Sequence, residues 1–387
     1  MPIIPEIDEP RVNREAGRTK SRPASPFLSV LKVLGVLAFL YLFMLSIKLM
    51  GDSFKGFGGE FAGGLVAGAS SPIVGLFVGI LATSIIQSSS CVTSMLVALV
   101  ATGSMSIGVA VPIVLGANIG TTITNTIVSL THITRRDEFP RALAGATVHD
   151  MFNICSVLVL MPIECLFHPL EKLGCWLAGV SASGGGGGGG GFAFMSPVNA
   201  VLDPVKDYVI NLTGETFWLS LVISLVLLFV SLMYLVKLMR SLLIERFERV
   251  LHGYLFKTPL RAFILGLLFT AIVQSSSVTT SLIVPLVGAA LLTVEQVYPY
   301  TLGANVGTTV TALLAALAAG ETTGLAVAFV HMFFNIFGIA VFYPLRVVPL
   351  TLAKKLADLV RKNRALAIVF IAVIFFLIPA LVIFVFN

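Results

Sequence analysis

The chain has 387 residues, of which 57% are hydrophobic and only 11% charged, with a net charge of +6 and a mean hydropathy of +1.00. Soluble domains carry roughly 25% charged residues, so the composition excludes an ordinary soluble fold and predicts an all-α integral membrane protein. The basic excess does not indicate nucleic acid, because Lys and Arg sit in loops between apolar runs and form no groove-lining patch.

In chain order, residues 1–27 form a polar, Pro-containing, basic segment with no short apolar region before a small-residue cleavage site. It is expected to be cytoplasmic, with the first span retained as an anchor. Apolar runs long enough for the ~20 residues of a spanning helix cover 28–50, 217–239 and 366–386. Between them the chain is apolar but interrupted by Gly, Pro, Ser and Thr, which predicts broken helices or re-entrant hairpins. A first repeat is assigned to 28–170 with its hairpin at 61–103, and a second to 217–349 with its hairpin at 258–290. The outer linker 171–216 contains eight consecutive glycines at 184–191, which look like a splice or placeholder and enter no functional argument. Residues 350–387 are expected to form a basic loop and one additional transmembrane helix. Cys91, Cys155, Cys165 and Cys175 lack metal-ligand spacing. They are read as free thiols, with a Cys165–Cys175 disulfide as an option.

The repeat assignment rests on two motifs in one register. Gln87-Ser88-Ser89-Ser90 recurs as Gln274-Ser275-Ser276-Ser277, an offset of 187 (274 minus 87), and the same offset carries Gly116-Ala-Asn118-Ile-Gly-Thr121-Thr122 onto Gly303-Ala-Asn305-Val-Gly-Thr308-Thr309. Loop charges orient the copies, since cytoplasmic loops collect Lys and Arg. Residues 11–32 hold six basic residues against one acid, whereas the matching 198–219 hold one base, Lys206, against Asp203, Asp207 and Glu215. The bias reverses at the next pair, where 237–261 is basic and 48–60 is balanced. It returns to the first copy at Arg135, Arg136 and Arg141, then switches again to the basic stretch 346–364. Alternation of this kind predicts two inverted-topology repeats, with an N-terminus in the cytoplasm and hairpins meeting at mid-membrane.

Polar side chains inside a span are costly and functional by default. A helix broken at Gln-Ser-Ser-Ser offers orphan amides at one end and orphan carbonyls at the other, suiting an oxyanion and an alkali cation respectively. Neither motif contains Lys or Arg, so a bound anion would be held by dipoles and co-bound cations. Ser and Thr can instead merely glue helices, at about 0.6 kcal/mol on average, but the paired spacing argues against packing alone. A third pair, His149-Asp150-Met-Phe-Asn153 and His331-Met332-Phe-Phe-Asn335, breaks the symmetry at Asp150. The histidines are expected to be hydrogen-bond partners between helices. The carboxylate is expected to be functional, or else paired with an arginine such as Arg141.

Together with Ala142-Leu-Ala-Gly-Ala-Thr-Val-His-Asp150, these motifs resemble the type II sodium-phosphate cotransporters from residue 28 to the end. The resemblance implies Na+-driven import of inorganic phosphate by an inverted-repeat carrier. Carried over residue by residue, phosphate would meet Gln87, Ser88, Ser89, Thr121, Thr122, Gln274, Ser275 and Ser276. Sodium would meet Ser88, Thr126, Asn153, Asp150, Gln274, Ser275, Thr308 and Thr311. Ser90, Asn118, Ser277, Asn305 and Thr309 would support these ligands. Ala144, Ala146 and Asp150 match the pattern of electrogenic members, implying an additional sodium ion and divalent phosphate. The chain lacks the large outer loop of animal relatives and so resembles bacterial members. Ala304 stands where relatives commonly have Ser, so a hydroxyl ligand there would be replaced by a carbonyl or water.

The implied setting is the cell (inner) membrane, multi-pass, with no nucleic acid and no organic cofactor; a homodimer is left open. Symport of sulfate or a carboxylate is the alternative within transport, and a passive channel is a further one. An enzyme is not expected: a hydrolase using Ser88 and His149 would lack a G-x-S-x-G elbow.

Overall fold

The computed structural model describes residues 26–68, 71–183, 196–214, 216–251 and 258–386. The basic N-terminal segment up to residue 25 and the glycine run lie outside the described residues. The first half contains α1 (Pro26–Gly68), α2 (Pro72–Ile86), α3 (Ser89–Ala101), α4 (Ile107–Gly120), α5 (Ile123–Ser129), α6 (Glu138–Phe167) and α7 (Pro169–Ser183). α8 (Ser196–Leu212) then leads into α9 (Phe217–Leu251), α10 (Pro259–Val273), α11 (Ser276–Ser281), α12 (Val284–Gly288), α13 (Val294–Ala319) and α14 (Thr322–Phe342). The chain closes with α15 (Val347–Lys362), α16 (Ala365–Ala372) and α17 (Ile378–Phe386). No strand occurs among the described residues.

Seven helical stretches among the described residues are long and apolar enough to cross a membrane: Val30–Phe57, Ile107–His132, Glu138–Phe167, Phe217–Leu242, Val294–Ala319, Thr322–Phe342 and Ala365–Phe386. Three of them coincide largely with the runs 28–50, 217–239 and 366–386 read from hydropathy alone. The others are diluted by the small and polar residues of the motifs. By contrast, α2 has 15 residues, about 22 Å at 1.5 Å per residue and short of an apolar core of about 30 Å. It therefore turns back as a hairpin arm.

The two hairpins are built by the same local chemistry. Ser71 caps α2 by accepting from Val74 N at 3.2 Å, and Thr258 caps α10 by accepting from Arg261 N at 3.4 Å, each followed by Pro at the first helical position. Their second arms differ, because Pro285 in the second copy occupies the position of Ala98 in the first. A proline lacks the amide that would continue the ladder, so the second arm is split into α11 and α12 while α3 runs unbroken. Residues 61–68 continue α1, so the first hairpin starts at Pro72 and not at 61.

Each hairpin is clamped to the following helix by glycines. A Cβ on Gly79 would lie 2.1 Å from Ile113 O and one on Gly116 1.9 Å from Leu76 O; in the second copy Gly266 meets Tyr300 O and Gly303 meets Phe263 O, both at 2.0 Å. Only a residue without Cβ permits backbones this close.

The equivalent first helices α1 and α9 lie side by side and antiparallel. Phe39 stacks on Tyr234 with centroids 5.1 Å apart, while Phe57, further along α1, meets Trp218, earlier in α9, at 4.4 Å. The last helices are exchanged: α7 packs on α14, with Gly174 against Val330, and α15 packs on α6, with Val360 clustering with Phe139 and Leu143. The expected linker and the expected basic loop are largely helical among the described residues. The linker contains α7 and α8, and the basic loop after 349 is mostly the amphipathic α15. α8 is fastened to α1 by Lys206 with Asp52 at 2.7 Å, by Lys48 with Asp203, and by Tyr41 OH donating to Val201 O at 3.2 Å. Cys165 and Cys175 are free.

Candidate functional site

At each hairpin tip a glutamine reverses the chain. Gln87 (φ 57°) and Gln274 (φ 62°) are left-handed, and their amides donate to Thr83 O and Thr270 O, both at 2.7 Å. Non-glycine residues in this region are uncommon and concentrate at functional sites. The following serine caps the second arm, Ser88 accepting from Cys91 N at 3.2 Å and Ser275 from Val278 N at 3.3 Å. The tips meet: Gln87, Ser88, Ser90, Gln274 and Ser275 line one cavity of about 390 Å³. Its opposite wall comes from α9, through Phe229, Val230, Leu232, Met233 and Val236. No charged side chain lines it. Polar groups therefore face an apolar wall, the usual make-up of a small-molecule site.

The two tips are also joined by hydrogen bonds. Ser90 Oγ donates to Thr311 Oγ1 at 3.5 Å, and Thr311 Oγ1 donates to Gln274 Oε1 at 2.9 Å. Ser277 Oγ donates to Thr121 O at 3.3 Å. Gln274 is buried and its Nε2 donates to Ala271 O, whereas Gln87 is exposed in the cavity. The glutamines thus have unequal freedom to meet a ligand.

Behind the tips lies a buried cross-repeat network. His331 Nε2 donates to Asn118 Oδ1 at 3.1 Å, and reciprocally His149 Nε2 donates to Asn305 Oδ1. Each histidine thus holds the motif asparagine of the other copy, the exchange expected of a two-fold relationship. Asn305 Nδ2 donates to Asn153 Oδ1 at 2.9 Å, and Asn153 Nδ2 to Asn118 O at 2.7 Å. Asn125 Nδ2 donates to His149 Nδ1 at 3.3 Å and accepts from Thr280 Oγ1 at 2.9 Å. A buried polar atom left unpaired costs about 1–3 kcal/mol. His331→Ala is accordingly expected to lower stability by that amount, and a His331→Ala/Asn118→Ala double-mutant cycle, read by thermal unfolding, to give a coupling energy of about 0.5–3 kcal/mol. Strict additivity would contradict the pairing.

Asp150 is fully buried, and its Oδ2 accepts from Thr126 Oγ1 at 2.9 Å, with Thr122 also beside the carboxylate. Its Oδ1 has no hydrogen-bond partner, and it makes no ion pair among the described residues. The Arg141 alternative is overturned, because Arg141 Nε donates to Gly288 O at 2.9 Å. It is spent on the carbonyl end of α12.

The structure separates the expected ligands into groups. Gln87, Ser88, Gln274 and Ser275 share the tip cavity; Ser89 and Ser276 lie just behind it, at the start of α3 and α11. Thr126 and Asp150 form a second polar group, and Asn153 belongs to the network with Asn118 and Asn305. Thr121, Thr122, Thr308 and Thr309 turn their hydroxyls onto carbonyls of their own helices, those of Ala117, Ile119, Ala304 and Val306. The Ala304 carbonyl is thus already engaged. Ala144 and Ala146 pack in clusters with Val287 and Val284 of α12, and Gly145 lies against Val287.

Sequence reasoning missed Asn125 and the α9 wall. Asn125 had a usable signal, since the 187 offset places it opposite Ala312. The α9 residues had none, being apolar residues in an apolar span.

These features define a multi-pass, all-α membrane protein in which two copies of one broken-helix hairpin bring polar tips into a single cavity. The chain belongs to the Na+/Pi-cotransporter family, whose pattern matches residues 42–180 and 227–376. It is 34% identical over 456 residues to "Sodium-dependent phosphate transport protein 2A" of Rattus norvegicus, covering 98% of this chain and 72% of that protein. To "Sodium-dependent phosphate transport protein 2B" of Homo sapiens it is 31% identical over 470 residues, covering 97% and 68%. No solved structure matches the chain.

Proposed function

We propose that this protein is a Na+-coupled symporter that imports inorganic phosphate as the divalent ion, electrogenically and by alternating access. The observation that carries the reading is the shared cavity of the Gln87-Ser88 and Gln274-Ser275 tips. With no Lys or Arg in its lining, an oxyanion there is held by hydroxyls, glutamine amides and the orphan amides opening α3. Co-bound Na+ supplies the missing positive charge, so phosphate affinity rises with Na+. Asp150 with Thr126 is assigned to the additional Na+, since a buried carboxylate oxygen without a partner suits a hard cation.

The antiparallel α1 and α9 and the reciprocal His–Asn pairs support inverted repeats with an axis between the tips. The alternating loop charges favour a cell-membrane carrier with its N-terminus in the cytoplasm. Access alternates when the tips and the α9 wall change partners while the network holds the copies together.

Uptake of labelled phosphate into proteoliposomes under an inward Na+ gradient tests the function. Uptake is expected to collapse when choline replaces Na+, and to be competed by arsenate but not by sulfate. Equal uptake in choline contradicts coupling, and competition by sulfate would transfer the reading to a broader oxyanion symporter.

A further inference from the structure

Sharing no lining residue with the tip cavity, the loop at 133–137 and the α15–α16 junction border a cavity of about 570 Å³. Arg136, Arg361, Lys362 and Arg364 line it, against a single acid, Asp137. The next acid along, Glu138, is occupied by Arg135 at 2.7 Å and His132 at 3.1 Å. Arg364 Nη1 donates to Ile133 O at 2.6 Å and so ties the two walls together. Arg136, Arg361 and Lys362 are exposed and make no ion pair among the described residues.

The position of this cavity indicates its ligand. Arg364 immediately precedes the apolar stretch Ala365–Phe386, on which Ile368 and Val369 are exposed. α15 buries Ala353, Ala357 and Val360 and leaves Leu352 and Leu359 exposed beside its Lys and Arg, as a helix lying in the membrane interface does. The cations therefore stand at the end of a membrane-length apolar helix, next to an exposed apolar surface.

We propose that this cavity binds the phosphodiester of an anionic phospholipid, with acyl chains lying along Ile368 and Val369. Guanidinium groups match phosphate oxygens bidentately, and basic pockets at the membrane surface select anionic headgroups. The site is distinct from the transport cavity and does not depend on its assignment.

The test is thermal unfolding of the purified full-length protein in detergent and sodium-free buffer, titrated with phosphatidylglycerol, phosphatidylcholine or inorganic phosphate. Phosphatidylglycerol is expected to raise the midpoint of the wild type, and phosphatidylcholine and phosphate to leave it unchanged. Half-saturation should weaken on the order of 100-fold in the R136Q/R361Q/K362Q variant, the equivalent of about 1 kcal/mol per cation. Removing the opposing acid with Asp137→Asn should tighten binding about 5-fold on the same scale. An equal phosphatidylglycerol response in wild type and both variants overturns the proposal. So does a shift by inorganic phosphate that the triple variant loses, which would make this a free-phosphate site.

Discussion

Alanine at Gly116 or Gly303 is expected to abolish most of the folded yield, although alanine is the better helix former. The added Cβ would stand 1.9 Å from Leu76 O at position 116 and 2.0 Å from Phe263 O at 303, where ordinary contacts are 3.4–4 Å. The obstacle in each case is backbone, so no rotamer change relieves it, and the helices must separate by more than 1 Å along a crossing that Gly79 or Gly266 also needs closed. Overpacking typically costs about 1–3 kcal/mol and occasionally more; here the upper end is expected. Because α2 and α10 end at Gln87 and Gln274, separation also displaces the tips. Gly179→Ala is the matched control, with nothing within 4 Å of its added Cβ and up to about 1 kcal/mol of helix propensity to gain. Yield and melting temperature after size-exclusion chromatography decide the matter. A Gly116→Ala protein that melts with the wild type would contradict the close crossing.

Asp150→Gly is expected to keep phosphate transport but abolish the inward current, with lower sodium cooperativity. The carboxylate is fully buried, satisfied on Oδ2 by Thr126 and open on Oδ1. Its counterpart Met332 provides no charge, so the asymmetry between copies lies at this residue. Removing it removes the Na+ that makes the cation charge exceed that of the divalent anion, leaving an electroneutral cycle. Asp150→Asn keeps the side-chain volume and should behave alike, which separates loss of charge from loss of packing. Voltage-clamp current recorded alongside labelled uptake is the check. A wild-type current in Asp150→Asn refutes the charge-coupling role.

Much of this architecture was legible in the sequence because it depends on local chemistry. The Gln-Ser turns are short-range devices, so the motif repeat predicts both hairpins; the Ser71 and Thr258 caps that fix where each begins enter only with the structure. Loop charge predicts inverted repeats, a reading that the antiparallel course of α1 and α9 supports. What escaped is long-range partner choice. The sequence predicts His149 and His331 as hydrogen-bond partners between helices, but only the fold shows that each takes the asparagine of the other copy. Arg141 stands nine residues before Asp150 in α6, on the opposite face of the helix, and goes instead to the carbonyl end of α12. α15 was read as loop because charge masks its apolar stripe in a hydropathy window. The α9 wall was invisible for the opposite reason, since an apolar side chain facing a cavity and one facing lipid look the same in sequence.

The central claim is that the two Gln-Ser tips form one shared anion site. The most direct measurement is an ion-resolved density map of the protein in Na+ and phosphate. Tetrahedral density is expected between Gln87-Ser88 and Gln274-Ser275, facing Phe229 and Met233 of α9, and is expected to disappear when Na+ is replaced by choline. Phosphate density elsewhere with an empty tip cavity, or density there that persists without Na+, would contradict it.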